Sequence, residues 1–182
     1  GASNAGRNSF TNAPKTNRQG VEGSAQFKLP YSFEANLAYT WLSATVKESY
    51  LTNSTNLSTF NTVESGNRIP GVPNQGLFAE LLWVKPNKSV EAAIEARVNG
   101  AMHVNDLNTQ YKAPGYAVMN IRGVLRQEIT GGWSFSQFFR LNNVFDRSYV
   151  GSVIVNQYFL RSYEPAPTQN WMIGAKASYQ FK

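Results

Sequence analysis

The sequence contains no cysteine and a single histidine, His103. The lack of cysteine excludes a disulfide scaffold and a thiolate metal site, and a single histidine excludes a two-histidine metal site within this chain. No apolar run approaches the roughly 20 residues that a membrane-spanning helix requires. The sequence also shows no Ser-His-Asp arrangement, phosphate-binding loop or Gly-x-Ser-x-Gly elbow. We therefore expect no enzymatic activity, no metal site and no cofactor.

The charge balance is basic, with 17 Lys and Arg residues against 11 Asp and Glu residues and a net charge of +6. The basic residues occur singly along the chain, and no segment has the pattern of a recognition helix. A surface for nucleic acid requires basic residues clustered in a patch or along a helix. We therefore expect no nucleic-acid partner.

What the sequence does contain is an alternation of apolar and polar residues. Between Val90 and Met102 every second residue is apolar or glycine, and the intervening positions include Glu91, Glu95 and Arg97. Since successive side chains of a β-strand point to opposite faces, this segment has one apolar and one charged face. Six further segments repeat the pattern: 21–29, 33–42, 77–83, 117–126, 133–142 and 170–181. The sequence therefore predicts about seven long strands.

Charged residues in these segments all fall on one of the two faces. An Arg or Lys side chain that faces lipid at the bilayer midplane costs roughly 2–4 kcal/mol, whereas the lumen of a barrel accepts charge. We therefore predict an all-β fold of antiparallel transmembrane β-barrel strands, with lipid outside and a polar lumen. The residues predicted to face the lumen are Glu22, Lys28, Glu34, Glu80, Glu91, Glu95, Arg97, Arg122, Arg126, Arg140 and Lys176.

Short and long connections alternate along the chain. Outer-membrane barrels combine tight periplasmic turns with extended extracellular loops. With this orientation, Trp83 and Trp133 are expected near the periplasmic interface, where barrels carry an aromatic girdle. The predicted connections are short turns at 30–32, 86–88 and 130–132, and long loops at 46–73, 103–115 and 144–168.

An odd number of strands is unusual, because single-chain bacterial barrels have even counts and an open sheet edge cannot face lipid. Either residues 7–14 add an eighth strand, or the chain is part of a larger wall. The chain begins at Gly1 without a secretory signal, so we expect a longer protein that continues upstream. One alternative is a self-contained eight-stranded outer-membrane barrel with a structural, adhesion or narrow-channel role. Another is a barrel enzyme such as a lipase or protease, which would need the catalytic residues that the sequence does not show.

Several motifs occur in the order and spacing of a known family. The most specific is Asn143-Val144-Phe145-Asp146-Arg147-Ser148-Tyr149, preceded by Asn142. Together the motifs cover nearly the whole chain, which resembles the C-terminal part of the β-barrel of TonB-dependent outer-membrane receptors. The other motifs are Asn12-Ala13, Gln19-Gly20-Val21-Glu22, Ile69-Pro70-Gly71-Val72-Pro73, Ala113-Pro114-Gly115-Tyr116, Glu164-Pro165-Ala166-Pro167 and the closing strand that ends at Phe181.

The resemblance implies a barrel of about 22 strands with an N-terminal plug domain inside. Residues 1–182 would form the C-terminal third of this barrel, and the plug domain and the TonB box would lie in the missing N-terminal part. Such receptors take up iron–siderophore complexes and other scarce nutrients across the outer membrane of Gram-negative bacteria. The implied partners are outer-membrane lipid, the plug domain, the TonB complex and a small ligand such as a ferric siderophore.

Ligand recognition is expected in the long loops and the upper lumen. Tyrosine and arginine combine broad contact area with charge, which suits an anionic, aromatic-rich siderophore. The alternative for each residue is an interfacial girdle or ordinary loop packing. The candidate ligand-binding residues are His103, Tyr111, Tyr158, Arg161 and Tyr163.

The segment 142–149 has a structural interpretation as well. Asn142, Asn143 and Asp146 suit the point where a strand leaves the sheet, because short polar side chains can bond the freed backbone groups. Tyr149 is expected to cap that corner.

Overall fold

Seven long antiparallel strands form one sheet in the computed structural model, which describes residues 15–53, 60–109, 112–157 and 161–181. Each long strand pairs with the next one in chain order, so the predicted all-β, antiparallel fold is confirmed. The long strands are β1 (Thr16–Leu29), β2 (Phe33–Val46), β5 (Gln75–Val84), β6 (Val90–Asn99), β9 (Tyr116–Ile129), β10 (Trp133–Asn142) and β13 (Asn170–Tyr179). Within the described ranges, no helix has the length and apolar character needed to cross a membrane.

Each long connection contains a two-stranded ribbon that the sequence does not predict. Their strands have only two to four residues, which is too short for a periodicity to be recognised. The fully buried side chains of Val63 and Ala113 belong to these ribbons, so a small apolar core lies at the ribbon end of the sheet. The ribbons pair β3 (Tyr50–Asn53) with β4 (Phe60–Val63), β7 (Met102–His103) with β8 (Lys112–Ala113), and β11 (Val150–Val153) with β12 (Tyr163–Pro165).

The predicted strands are all present, but some of their ends differ from the prediction. The first hairpin continues past the apolar alternation to the pair formed by Thr16 and Val46. Backbone pairing can continue beyond the lipid, where no apolar face is needed, so periodicity underestimates this hairpin. Conversely, β6 ends at Asn99, and Met102 belongs to a ribbon instead of the long strand. The last strand ends at Tyr179 instead of continuing to residue 181.

The register places charged and apolar residues on opposite faces of the sheet. Arg122 pairs with Arg140, while the adjacent Ile121 pairs with Leu141 on β10 and with Ile94 on β6. Since neighbouring positions of a strand alternate between faces, the arginines share one face, here the polar face, and the aliphatic residues share the apolar face. The predicted division of the wall is confirmed. Exposed side chains on the apolar face include Val21, Phe27, Leu37, Leu81, Ile94, Phe139 and Ile173.

Tryptophan side chains mark both borders of the apolar face. Trp83 pairs with Phe33 near the short-turn end, whereas Trp41 lies eight residues further along the same strand as Phe33. Eight residues span about 27 Å along a strand, or about 21 Å across a membrane at a tilt of about 40°. Aromatic girdles flank an apolar band of about 25 Å in outer-membrane barrels. At the short-turn end, the Trp133 ring also lies 5.0 Å from the ring of Tyr179.

Tight turns join the strands at the end opposite the ribbons, as predicted. Pro30–Ser32 form a short turn with positive φ angles at Tyr31 (61°) and Ser32 (64°), and Asn87 Oδ1 accepts the amide of Ser89 at 3.1 Å. In the third turn Gly132 has a φ of 86°, and a Cβ at this position would lie 2.8 Å from the carbonyl oxygen of Gln180. Only glycine fits such a backbone without strain.

Candidate functional site

Four charged side chains form a continuous network on the polar face, in the order Glu80, Arg122, Glu95 and Arg140. Glu80 and Glu95 are direct cross-strand partners, as are Arg122 and Arg140, and each of these like-charged pairs would be unfavourable by itself. Arg122 bridges the two carboxylates, with Nη2 2.7 Å from Glu80 Oε2 and Nε 3.1 Å from Glu95 Oε1. Arg140 donates from Nη2 to Glu95 Oε2 at 2.6 Å and from Nη1 to Glu95 Oε1 at 2.9 Å.

Glu95 is the centre of this network. It is only 6% exposed and accepts three hydrogen bonds from two guanidinium groups. Glu80 receives a further hydrogen bond from Asn36 Nδ2 at 2.9 Å. A carboxylate is stable away from water only when charges and hydrogen bonds offset its desolvation. Since two arginines balance two glutamates, the network is internally neutral.

A cavity of about 270 Å³ lies beside the network, toward the ribbon end of the sheet. Its lining includes Arg97, Arg140, Tyr116 and Tyr149, and contains no carboxylate. The Tyr116 and Tyr149 ring centroids are 4.3 Å apart. Arg140 is neutralised by Glu95, whereas Arg97 makes no hydrogen bond or ion pair within the described residues. The cavity therefore has one uncompensated positive charge.

The corner that follows β10 forms one side of this cavity. Asn143 and Asp146 both have positive φ angles, 51° and 50°. The Asn143 side chain donates to the Arg147 carbonyl at 2.8 Å and accepts the Arg147 amide at 3.0 Å. Asp146 Oδ1 accepts the amide of Gln169 at 2.8 Å. The predicted structural role of Asn143 and Asp146 is confirmed, and Tyr149 is the aromatic contact of the corner through its packing on Tyr116.

Asparagine side chains fasten the three long connections to one another. Asn108 Oδ1 accepts the amide of Arg68 at 2.7 Å, and its Nδ2 donates to the Arg68 carbonyl at 2.8 Å. Asn156 Oδ1 accepts the amide of Asp106 at 3.0 Å, and its Nδ2 donates to the Asp106 carboxylate at 2.6 Å. Both asparagines pair with a neighbouring connection through two hydrogen bonds. The three connections therefore form one interlocked layer at the ribbon end of the sheet.

The model of the TonB dependent receptor-like β-barrel family matches residues 1–144, which is more than half of the chain. The chain belongs to this family. The resemblance inferred from the motifs is thus confirmed, and the polar face is the face that a receptor barrel turns toward its lumen.

Solved structures of receptors and transporters for siderophores and ferric complexes have the same fold. The siderophore receptor PiuA from Acinetobacter baumannii matches 89% of this chain and 22% of its own length, with a TM-score of 0.69 and 16% identity. The ferric citrate transporter FecA matches 90% of this chain and 24% of its own length, with a TM-score of 0.71 and 13% identity. The ferric yersiniabactin uptake receptor FyuA from Yersinia pestis matches 91% and 24%, with a TM-score of 0.63 and 17% identity. The chain thus spans less than a quarter of the length of these receptors.

Three of the five predicted ligand-binding residues, His103, Arg161 and Tyr163, lie in the loop layer of the receptor wall. His103 is on β7 opposite Lys112, and the Tyr163 hydroxyl donates to the Lys112 carbonyl at 3.1 Å. His103 and Tyr163 are therefore both neighbours of Lys112, and Arg161 is exposed two residues before Tyr163. None of these three residues lines the cavity. Tyr111 and Tyr158 lie outside the described residues. A role in ligand binding remains a prediction for all five residues.

Three groups in the loop layer have shifted pKa values, and burial is the largest cause for Tyr50, whose pKa is raised, as it is for His103 and Tyr149. Burial lowers the pKa of His103, and the positive charges of Lys112 and Arg68 lower it further. The Nδ1 atom of His103 is buried, and no described residue forms a hydrogen bond with it. Because its pKa lies below the usual value of 6.5, His103 is a neutral imidazole at pH 7. Burial also raises the pKa of Tyr149, against the opposing effect of the Arg97 charge.

The cavity residues Tyr116 and Asn120 were not predicted as site residues from the sequence. The sequence feature that points to this cavity is Arg97, which is the predicted lumen-facing charge closest to the loop end of β6. The cavity itself depends on the register of β6 with β9 and on the corner at Asn143, which alternation does not define. In the part of the chain that the structure describes, no three His, Cys, Asp or Glu side chains are grouped so that they could hold a metal ion.

Proposed function

We propose that this chain is a barrel segment of an outer-membrane receptor that takes up a ferric siderophore, or a similarly scarce nutrient, by TonB-dependent active transport. The main support is that the chain belongs to the receptor family and forms a sheet with two different faces. The polar face holds a neutral charge network, and the apolar face is bordered by tryptophans. The similar solved structures are named for siderophores, ferric citrate and ferric yersiniabactin, which supports a metal complex as the cargo.

The chain is proposed to form the C-terminal third of a barrel of about 22 strands, in the outer membrane of a Gram-negative bacterium. The plug domain and the TonB box belong to other parts of the longer protein in this proposal. Its support is that β1 and β13 are the two edges of the described sheet. An unsatisfied backbone group in lipid costs several kcal/mol, so the two edge strands must form backbone hydrogen bonds with further strands or with each other.

The functional test is uptake of iron-55 complexes by cells that carry or lack the full-length receptor. Ferric citrate, a ferric catecholate and ferric yersiniabactin form a suitable first panel. We expect at least one complex to accumulate only with the receptor, and accumulation to stop when TonB is deleted or the proton-motive force is collapsed. Accumulation that continues without TonB would indicate a passive channel and contradict the proposal.

A second experiment separates a segment of a large barrel from the eight-stranded alternative. Residues 1–182 are expressed alone and refolded in detergent, and heat-modifiable gel mobility and protease resistance are measured. A segment with open edges should give no compact, resistant monomer. A compact and resistant monomer would favour the small barrel.

His103, Tyr111, Tyr158, Arg161 and Tyr163 are proposed to contact the ligand from the loop layer. Arg161 should contribute most if the ligand is anionic, because a charge-assisted hydrogen bond contributes about 1.5–3 kcal/mol. The measurement is the affinity of purified receptor with Arg161→Ala for the complex identified in the uptake assay, with folding checked by circular dichroism. Unchanged affinity would make Arg161 a loop-packing residue.

A further inference from the structure

We propose that Arg97 and the Tyr116–Tyr149 pair form a subsite on the barrel wall for a flat, aromatic carboxylate, such as an acidic ring within a larger ligand. The inference rests on the proposed receptor function and specifies the chemistry of one part of its ligand. In this subsite the Arg97 guanidinium binds the carboxylate, and the ring packs against the two tyrosines.

The charge of Arg97 distinguishes it from the other arginines of this wall region. Arg122 and Arg140 bind Glu80 and Glu95 within the neutral network, and Arg126 binds Glu91 at 2.6 Å. Arg97 lies two residues beyond Glu95 on the same face of β6, but it has no acceptor within the described residues. A guanidinium presents a planar fork of N–H donors that matches a carboxylate with two parallel hydrogen bonds. The charge at the cavity therefore selects an anion.

The asparagine side chains of the cavity and the Tyr116 hydroxyl are already engaged by their neighbours. Asn120 Oδ1 accepts the amide of Asn143 at 2.9 Å, and Asn142 Nδ2 donates to Asn170 Oδ1 at 2.9 Å. The hydroxyl of Tyr116 accepts a hydrogen bond from Asn99 at 2.6 Å. These contacts fix the cavity walls and leave the guanidinium of Arg97 as the group that determines which ligand charge is accepted.

The size and the aromatic wall restrict the ligand further. The cavity volume of about 270 Å³ is slightly below the roughly 300 Å³ at the lower end of pockets for drug-sized molecules. A single ring with one acid group therefore suits it better than a complete metal complex. The Tyr116 and Tyr149 rings are 4.3 Å apart, and aromatic side chains attract a further ring by offset stacking or edge-to-face contact.

The test compares two probes, 4-fluorobenzoate and 4-fluorobenzamide, which share the ring but differ in charge. Binding to the full-length receptor in detergent micelles is followed by broadening of the fluorine NMR line. The variants are Arg97→Gln, which removes the charge, and Arg97→Lys, which keeps the charge but loses the fork. Arg18→Gln is the matched control, because Arg18 is an exposed arginine on β1, at an edge of the same sheet and three strands from β6.

We expect the wild-type receptor to bind the benzoate at least tenfold more tightly than the benzamide, as a charge-assisted bidentate contact implies. Arg97→Gln should remove this preference, Arg97→Lys should retain part of it, and Arg18→Gln should retain all of it. The proposal would be overturned if the wild-type receptor showed no preference for the benzoate, or if Arg97→Gln kept the full preference. If Arg97→Gln kept the preference and also lowered the thermal unfolding midpoint, Arg97 would be paired with a carboxylate elsewhere in the receptor.

The subsite and the transport function can fail separately. If iron-55 uptake is independent of the receptor but benzoate binding depends on Arg97, the transport proposal fails and the subsite remains. If uptake requires the receptor and no charge preference is found, the subsite alone is wrong.

Discussion

Replacement of Glu95 tests the charge network most directly. Glu95→Gln preserves the shape of the side chain but removes the negative charge that Arg122 and Arg140 share. It also places an NH₂ donor where one carboxylate oxygen accepted a guanidinium hydrogen bond. Both arginines would then be held on the polar face without sufficient compensation.

The expected magnitude follows from the burial of the partners. Removing one member of a buried ion pair costs roughly 3–5 kcal/mol. The Glu95 side chain is 8% exposed, but the side chains of Arg122 and Arg140 are 27% and 29% exposed, so water compensates part of the loss. We therefore expect the free energy of unfolding to fall by about 2–3 kcal/mol.

Glu91→Gln is the matched control, since Glu91 is on the same strand and the same face. Its partner Arg126 has a 44% exposed side chain, and exposed ion pairs contribute at most about 1 kcal/mol. The measurement is denaturant-induced unfolding of the full-length receptor in detergent, followed by tryptophan fluorescence. If both variants lower the free energy of unfolding by the same small amount, Glu95 is not the centre of a buried network.

Three further changes test the apolar face, the corner and the loop layer. Leu125→Arg places a charge on the apolar face in mid-strand and should lower the free energy of folding into lipid vesicles by about 2–4 kcal/mol, whereas Val124→Arg on the polar face should have little effect. Asn143→Ala removes two side-chain hydrogen bonds at a positive φ, so hydrogen-exchange protection of residues 144–149 should fall roughly tenfold. Because the pKa of His103 is lowered, the open loop binds more protons below about pH 6.5. The loop should therefore be fully stable above that pH and less stable as the pH falls. The measurement is the hydrogen-exchange protection of the Gly71 amide, which donates to the His103 carbonyl. His103→Gln should remove this pH dependence.

The strands and their faces could be predicted because lipid imposes one rule along each strand. Ile94 and Glu95 are adjacent in sequence but meet different environments, and the register shows them on opposite faces. The same rule fails outside the membrane. Thr16 and Val46 still pair there, but the buried side chains of Ala44 and Val46 lie on the face opposite Trp41, so the alternation changes phase and does not identify this part of the hairpin.

The loop layer and the cavity could not be predicted because their contacts join distant residues through single side chains. Asn108 binds the backbone of Arg68, 40 positions away, and Asn156 binds Asp106, 50 positions away. Asparagine favours loops in general, so its presence predicts a turn but not its partner. The pairing of Tyr116 with Tyr149 likewise requires the corner to fold back onto β9.

Glu95 and Arg97 are two residues apart on one face of β6, and their replacement should have opposite effects on anion binding. Glu95 neutralises Arg140, which lines the same cavity as Arg97. Glu95→Gln should therefore destabilise the receptor but strengthen 4-fluorobenzoate binding, because Arg140 becomes a second free cation at the cavity. Arg97→Gln should weaken that binding and leave the unfolding midpoint close to wild type, because Arg97 has no partner to lose within the described residues. Fluorine NMR titration and denaturant unfolding on the same samples measure both quantities. If Glu95→Gln instead weakens benzoate binding, the network positions the cavity walls and does not set the charge available to a ligand.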